Sequence, residues 1–351
     1  MTDAISADSF AFRNPFMPTV SRAFASALIT ALGGSQPALR DLCQRLGAPL
    51  LSASGPAFIP LAAVEAVFEQ ASVLSGDPAI GLRAFEHAHP ANLGPLGYAL
   101  MSSPTLKSVL VSMAEHHHLV GTGFCLFVEE RVEGVRLVGV QTGTGQRPLS
   151  RLFIDAVAAI TLGLLCWLVP GRVIRPLRAE LSYPCPADSQ GAERVYGADI
   201  RYGAVQNALL FSHADAALAV ASHDPALHAV HSEYLARWQR QVGGDRLSLK
   251  VRGVLSEQLS LGRPVTLASV AEALGLSPQR LSRGLEGEGH GFLRLLDEVR
   301  LRDSHQLLRN SDLSFKQIAY RVGFRHQSAF NKACERWFGV GPGRYREQGD
   351  G

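Results

Sequence analysis

At 351 residues the chain is long enough for two domains. Apolar residues make up 46% and charged residues 19%, which supports a sizeable core and excludes a disordered or collagen-like chain. The net charge of +3 is unevenly held: from Arg246 onward 17 Lys+Arg face 11 Asp+Glu, before it 17 face 20, so a nucleic-acid partner is expected at the C-terminal end only.

In chain order, apolar residues at helical spacing predict helices over 18–32, 37–46 and 60–75, a short one over 77–82, and another over 106–120. Alternation predicts strands over 124–130 and 135–141, joined at Glu133-Gly134. A long helix follows over 151–168. Within 152–169 Asp155 is the one charge. A spanning helix needs about 20 apolar residues and a central acid costs roughly 2.5–3.5 kcal/mol, so this is expected to be a buried core helix, with no membrane partner. A strand over 176–183 places Leu177, Ala179, Leu181 and Tyr183 on one face. A helix over 191–196, strands over 200–202 and 208–211, and a helix over 226–241 complete an α+β domain. Gly243 and Gly244 are expected to end that last helix, giving a first domain of 1–241, a linker of 242–248 and a second domain of 249–346.

The second domain holds one pattern twice. Val270-Ala271-Glu272-Ala273-Leu274-Gly275-Leu276 is matched by Ile318-Ala319-Tyr320-Arg321-Val322-Gly323-Phe324. Each copy runs into a polar helix with basic residues, over 277–286 and 327–337. A packing helix, a glycine turn and an exposed polar helix make a helix-turn-helix. The small Ala271 and Ala319 let the two helices approach, and Gly275 and Gly323 supply a positive φ. Ser277-Pro278 is a strong helix start, and Ser314 to Gln317 reads as a capping box. With Leu281 and Leu285 turned inward, Gln279, Arg280, Ser282 and Arg283 face out. The second turn has one extra residue, so Phe330 matches Leu281 and Lys332 matches Arg283. The outward set there is His326, Gln327, Ser328, Asn331 and Lys332. Between the units, 292–308 reads as a linker helix of about 25 Å, compatible with recognition helices about one DNA turn, ~34 Å, apart. The domain is therefore expected to be all-α, with double-stranded DNA in the major groove as its partner.

The segment 249–346 resembles the DNA-binding domain of the AraC/XylS family of bacterial transcription regulators. The resemblance rests on Ile318-Ala319, Gly323-Phe324, Ser328 to Ala333, Arg336-Trp337-Phe338-Gly339, and Pro342 with Tyr345-Arg346. It implies seven helices with two helix-turn-helix units. By resemblance the base-reading positions are Gln279, Ser282 and Arg283, then Gln327, Ser328, Asn331 and Lys332. Two residues depart from the family pattern. Gly284 replaces a helix-forming, often basic residue, at a cost of about 1 kcal/mol, so a less rigid first recognition helix is expected. Cys334 replaces an aromatic residue and is expected to be a small core residue. The N-terminal part, over 20–227, is similar to the "arabinose-binding-like" domain of one branch of that family. That similarity is carried by Leu93 to Leu100, Ser103-Pro104-Thr105-Leu106, Pro176-Leu177-Arg178, Pro184 and Pro186, and Val205 with Asn207 to Phe211. It implies an effector-sensing or dimerising domain.

Other constellations read as structural. Glu115-His116-His117-His118 are consecutive on a helix, about 100° apart, and lack the i, i+4 spacing of a helical metal pair. His87 and His89 are two apart and are followed by Pro90, and no metal is expected there. Gly121-Thr122-Gly123 and Gly143-Thr144-Gly145 lack the ending of a phosphate loop and read as turns. No nucleophile elbow is present. Cys43, Cys125, Cys166, Cys185 and Cys334 are scattered and odd in number, as expected for reduced thiols in a cytoplasmic protein, and no signal peptide is indicated.

The expected whole is an α+β sensing domain followed by an all-α double helix-turn-helix domain. Its expected function is sequence-specific, cytoplasmic transcription regulation, activation rather than repression, under a small-molecule effector. RNA polymerase and a second copy of the chain are the further expected partners; no catalytic residue, metal or cofactor is expected. With no sustained heptad seam, pairing would fall on the globular domain or on 226–241. The competing reading is a ligand-independent repressor or architectural protein, for which a 200-residue apolar N-terminal domain is not needed.

Overall fold

A computed structural model describes residues 18–34, 36–52, 57–142, 148–245, 247–288 and 290–347, with 239–245 described by backbone alone. Among the described residues the chain divides into two compact units, 18–139 with 148–236, and 140–142 with 237–347.

The first unit opens with strand β1 (Thr19–Ser21), helices α1 (Arg22–Gly33) and α2 (Pro37–Leu50), strand β2 (Phe58–Pro60) and helix α3 (Leu61–Ser75). β1 and β2 pair antiparallel, with Val20 opposite Ile59. The helical reading of 18–32 missed β1, because a three-residue strand exists only through a partner forty residues away. A 3₁₀ turn spans Ile80–Phe85, followed by α4 (Pro95–Ser102) and α5 (Leu106–His116). The Thr105 side chain accepts from Ser108 N and sets the start of α5. Strands β3 (Phe124–Arg131) and β4 (Gly134–Gln141) form the expected hairpin. Helix α6 (Arg151–Leu168) starts on the Ser150 cap and has its inner face packed into the core, with 67% of its length buried.

Asp155 is fully buried on α6 and ties it to the sheet side of the domain. Its carboxylate accepts hydrogen bonds from Tyr183 and, at 3.0 Å, from Tyr196, and Arg151 approaches at 3.4 Å. Burial still pushes its pKa up against these three partners. Strand β5 (Arg178–Leu181), α7 (Gln190–Tyr196), β6 (Ile200–Tyr202), β7 (Asn207–Ser212) and the short α8 (His213–Ala216) follow. The sheet order is β3-β4-β7-β5-β6, with β4 and β5 antiparallel to β7 and β6 parallel to β5. Ala179, Leu181 and Tyr183 are buried on the expected face, but Leu177 lies just before β5 and is exposed. Arg136 bridges Glu129 at 2.9 Å and Glu180 at 2.6 Å across the sheet.

Helix α9 (Pro225–Asp245) runs through Gly243 and Gly244 rather than ending before them. Seven helices make up the rest of the described chain: α10 (Leu247–Ser260), α11 (Leu267–Ala273), α12 (Pro278–Gly287), α13 (Phe292–Asn310), α14 (Phe315–Arg321), α15 (Gln327–Phe338) and α16 (Pro342–Glu347). Val251, Leu255, Leu259, Val270, Ala271, Leu281, Leu285, Leu295, Leu296 and Val299 form one buried cluster that joins α10 to α13.

Candidate nucleic-acid interface

Both repeats fold as helix-turn-helix units. In the first, α11 starts at a capping box of Thr266 and Ser269 that is not apparent from the sequence pattern. Ala271 is fully buried where the helices meet, and Gly275 turns the chain at φ 66°. Ser277 Oγ accepts from Arg280 N at 3.3 Å and caps α12. Leu281 and Leu285 are fully buried, which fixes the outward face of the recognition helix. In the second unit Ser314 and Gln317 form the expected capping box, Ala319 is fully buried and Gly323 turns at φ 78°. Phe324 wedges edge-on against Phe330 and Trp337, with centroids 5.8 and 6.0 Å away. His326 occupies the N-cap of α15 without a side-chain bond to the helix.

Seven of the nine candidate DNA contacts are exposed: Gln279, Arg280 and Arg283 on α12, and His326, Gln327, Ser328 and Lys332 on α15. The other two sit lower. Ser282 is half-buried and donates its hydroxyl to Glu286 Oε1 at 3.0 Å. Asn331 is half-buried, and its amide oxygen is enclosed without a hydrogen-bond partner. The two-point pairing of an asparagine with adenine needs that oxygen, so in this rotamer Asn331 presents at most half of it.

Gly284 has a packing reason. A Cβ there would lie 2.5 Å from Leu247 Cδ2, at the start of α10. The glycine thus lets α10 seat on the recognition helix, which runs unbroken from Pro278 to Gly287. Glu288, just past α12, completes this seat: its carboxylate accepts from Leu247 N and, at 2.9 Å, from Ser248 N, capping α10.

The linker helix does more than its apolar residues suggest. It has 19 residues, about 28 Å of helix, and three of its charged side chains fasten the units. Glu298 is buried between Arg252 of α10 and Arg294. Burial alone would push its carboxyl up; Arg252, Arg294 and His290 outweigh it and hold it below its ordinary range. Asp297 accepts from Trp337 Nε1 at 3.1 Å and pairs with Arg336 at 2.5 Å, orienting α15. Arg300 donates to the carbonyls of Val322 (3.0 Å) and Gly323, and its guanidinium lies 4.5 Å from the centre of the Phe324 ring. This grips the second turn directly. Arg346 holds the first helix of the same unit, donating to Leu313 O at 2.7 Å and stacking over Phe315. Cys334 is fully buried, and burial pushes its thiol up to about 12, as fits a core residue.

The two units differ in charge. Residues 267–287 carry Arg280 and Arg283 against Glu272 and Glu286, whereas 315–338 carry Lys316, Arg321, Arg325, Lys332 and Arg336 against Glu335 alone. All of these side chains are on the surface.

Elsewhere, His116 and His117 turn Nδ1 back onto the carbonyls of Ser112 (3.0 Å) and Ala114 (2.7 Å), closing the end of α5. Thr122 bonds Thr19, consistent with a turn over 121–123; Gly143-Thr144-Gly145 lies outside the described residues.

Residues 38–220 match the arabinose-binding domain of AraC transcription regulators, and residues 270–348 match a helix-turn-helix domain. The ornithine utilization regulator of Pseudomonas aeruginosa is 27% identical over 287 residues, covering 79% of this chain and 81% of that protein. The regulator VirS of Mycobacterium tuberculosis is 29% identical over 153 residues, 44% of each chain. The crystal structure of the transcriptional regulator CdpR from Pseudomonas aeruginosa aligns with 88% of this chain and 97% of that one, at 23% identity and a TM-score of 0.40. With an arabinose-binding-type domain followed by two helix-turn-helix units, the chain belongs to the AraC family of DNA-binding transcription regulators.

Proposed function

We propose that this regulator is an effector-controlled transcription activator whose two recognition helices enter successive major-groove segments with unequal tasks. The second unit chiefly holds the phosphate backbone and reads bases less sharply; the first is the main base reader. The observation that carries this reading is the charge contrast between 267–287 and 315–338, because backbone attraction scales with the number of phosphates neutralised whereas base reading does not. Arg283 and Gln279 are the principal base readers on α12. His326, Gln327, Ser328, Lys332 and Arg280 contact the duplex around them, and Ser282 and Asn331 act from the floor of the interface.

The first domain senses a small molecule, and the DNA-bound protein meets RNA polymerase in the cytoplasm, acting by binding and not by catalysis. It also pairs with a second copy. Leu227, Val230 and Tyr234 support this pairing, since they form an exposed apolar stripe at i, i+3 and i+7 on α9. Val230→Glu is expected to shift the sedimentation of the full chain toward a monomer, and an unchanged profile would remove α9 from the interface.

The test of the main reading is a pair of variants measured on cognate and random duplexes. Arg283→Ala should lose about 1–3 kcal/mol of discrimination between the two. Lys332→Ala should weaken both equally and lower the salt slope by about one unit. Equal losses on both duplexes for Arg283→Ala would reduce it to a backbone contact.

A further inference from the structure

The inward residues Leu281 and Leu285 define which side chains α12 offers to a duplex. Opposite them, Gln279, Arg283 and Glu286 form one exposed stripe at i, i+4 and i+7. Two of these are conventional readers; the third is a carboxylate. It would repel the phosphates that the rest of the domain attracts, so its place on this stripe calls for an explanation. Its position is not left to solvent: Ser282, one turn nearer the helix N-terminus, donates its hydroxyl to Glu286 Oε1 at 3.0 Å. This bond draws the carboxylate back along the helix, toward the end that enters a groove. It also lowers the rotamer freedom that a reading side chain must give up on binding.

We infer that Glu286 is a specificity-determining residue that accepts a hydrogen bond from the exocyclic amino group of a cytosine in the major groove, with Ser282 as its positioning residue. A carboxylate offers acceptors only. In the major groove, guanine presents two acceptors and thymine an acceptor and a methyl group. Adenine presents a donor at N6 but sets the acceptor N7 beside it, against the second carboxylate oxygen, while cytosine presents a donor at N4 with no acceptor beside it. A carboxylate held against guanine or thymine would be buried without a donor, next to like-charged phosphate, which disfavours those bases strongly. Glu286 therefore selects by rejection as much as by attraction. The same carboxylate offsets one of the two arginines of α12. The first unit then gains little from random DNA and binds where its bases fit.

This inference rests on α12 entering the groove, as proposed above, and the experiment separates the two. Full-length wild type, Glu286→Gln, Ser282→Ala and Arg283→Ala are each used to select duplexes from a random pool, and their base preferences are compared. Glutamine keeps the size of the side chain and an oxygen for Ser282 but adds donors and removes the charge. None of the three side chains is in the core, and thermal unfolding of each variant checks that the fold is kept.

Wild type is expected to prefer cytosine over thymine at one position of its first block, by about tenfold, the usual scale for one mismatched pair. Glu286→Gln should lower that ratio to below about threefold and raise affinity for random duplex. Ser282→Ala should reduce the ratio partially, at the same position. Arg283→Ala should change a different position in the same block. If Arg283→Ala alters a base preference but Glu286→Gln alters none, the inference about Glu286 is overturned and the reading of α12 stands. If neither variant alters any preference, the groove-reading role of α12 falls, and the inference with it. A wild-type first block without a cytosine preference also overturns it.

Discussion

The two helix-turn-helix units share a backbone plan but are fastened by different chemistry. The first is an aliphatic wedge: Val270, Leu281 and Leu285 pack against α10 and α13, and the unit is electrically balanced on its surface. The second is an aromatic wedge of Phe324, Phe330 and Trp337, clamped by Arg300, Asp297 and Arg346 and flanked by basic residues. A sequence repeat therefore preserves the order of helix, glycine turn and helix without preserving what holds the helices or what they attract. The first recognition helix is held by aliphatic burial on its inner face and by Glu288 at its end, which caps α10, while directed hydrogen bonds to a turn and to an indole hold the second. The unit with more directed fastening is also the one with the excess positive charge, which suits a fixed anchor. The balanced unit can discriminate, because random phosphate adds little to its binding.

That contrast can be tested by removing its fastenings in turn. Glu298→Ala should have the largest effect. It leaves the guanidinium of buried Arg294, and that of Arg252, without their carboxylate, and such truncations cost about 3–5 kcal/mol. Denaturant unfolding of the second domain would read it. The pH dependence has a definite sign. The Glu298 carboxyl is held below its ordinary value in the folded state, so its contribution is full above about pH 4.3 and is lost as the pH falls through the lowered folded value. The variant should therefore show a shallower acid limb than the wild type.

Arg300→Ala comes next. Losing charged hydrogen bonds to Val322 O and Gly323 O should cost about 1.5–3 kcal/mol. DNA affinity should fall on cognate and random duplexes alike, because the anchor is loosened. A selective loss on the cognate duplex would move the sharper base reading into the second unit. Gly284→Ala should be the smallest. About 1 kcal/mol of helix propensity is gained, while the new methyl must displace Leu247, and the two roughly cancel. A destabilisation above about 2 kcal/mol would show that the seat of α10 on α12 is stiffer than aliphatic packing implies.

The sequence made the local parts of this interface legible and left the distant ones hidden. The glycine turns, the Ser277 cap and the Ser314–Gln317 box are encoded within a few residues, and Leu281 and Phe330 follow from periodicity alone. Arg300, Asp297 and Glu298 were hidden because their partners lie on other helices; Val322, for example, is 22 residues away from Arg300. Glu286 was readable as a surface residue, but its link to Ser282 needs side-chain geometry. In the first domain, α4 went unnoticed because its Gly94-Pro95-Leu96-Gly97 start reads as a turn, though Pro95 suits a first helical turn. Gly243 and Gly244 read as a helix end, but two glycines cost a helix only about 2 kcal/mol together, and α9 continues through them.

On this reading one chain reads two successive groove segments, with the sharper reading in the first. Selection by the full-length protein from a random duplex pool at physiological salt tests it most directly. Two blocks of preferred bases should emerge about one helical turn apart, with the block under α12 the more sharply specified. A single block, or two blocks with the sharper one under α15, would contradict it.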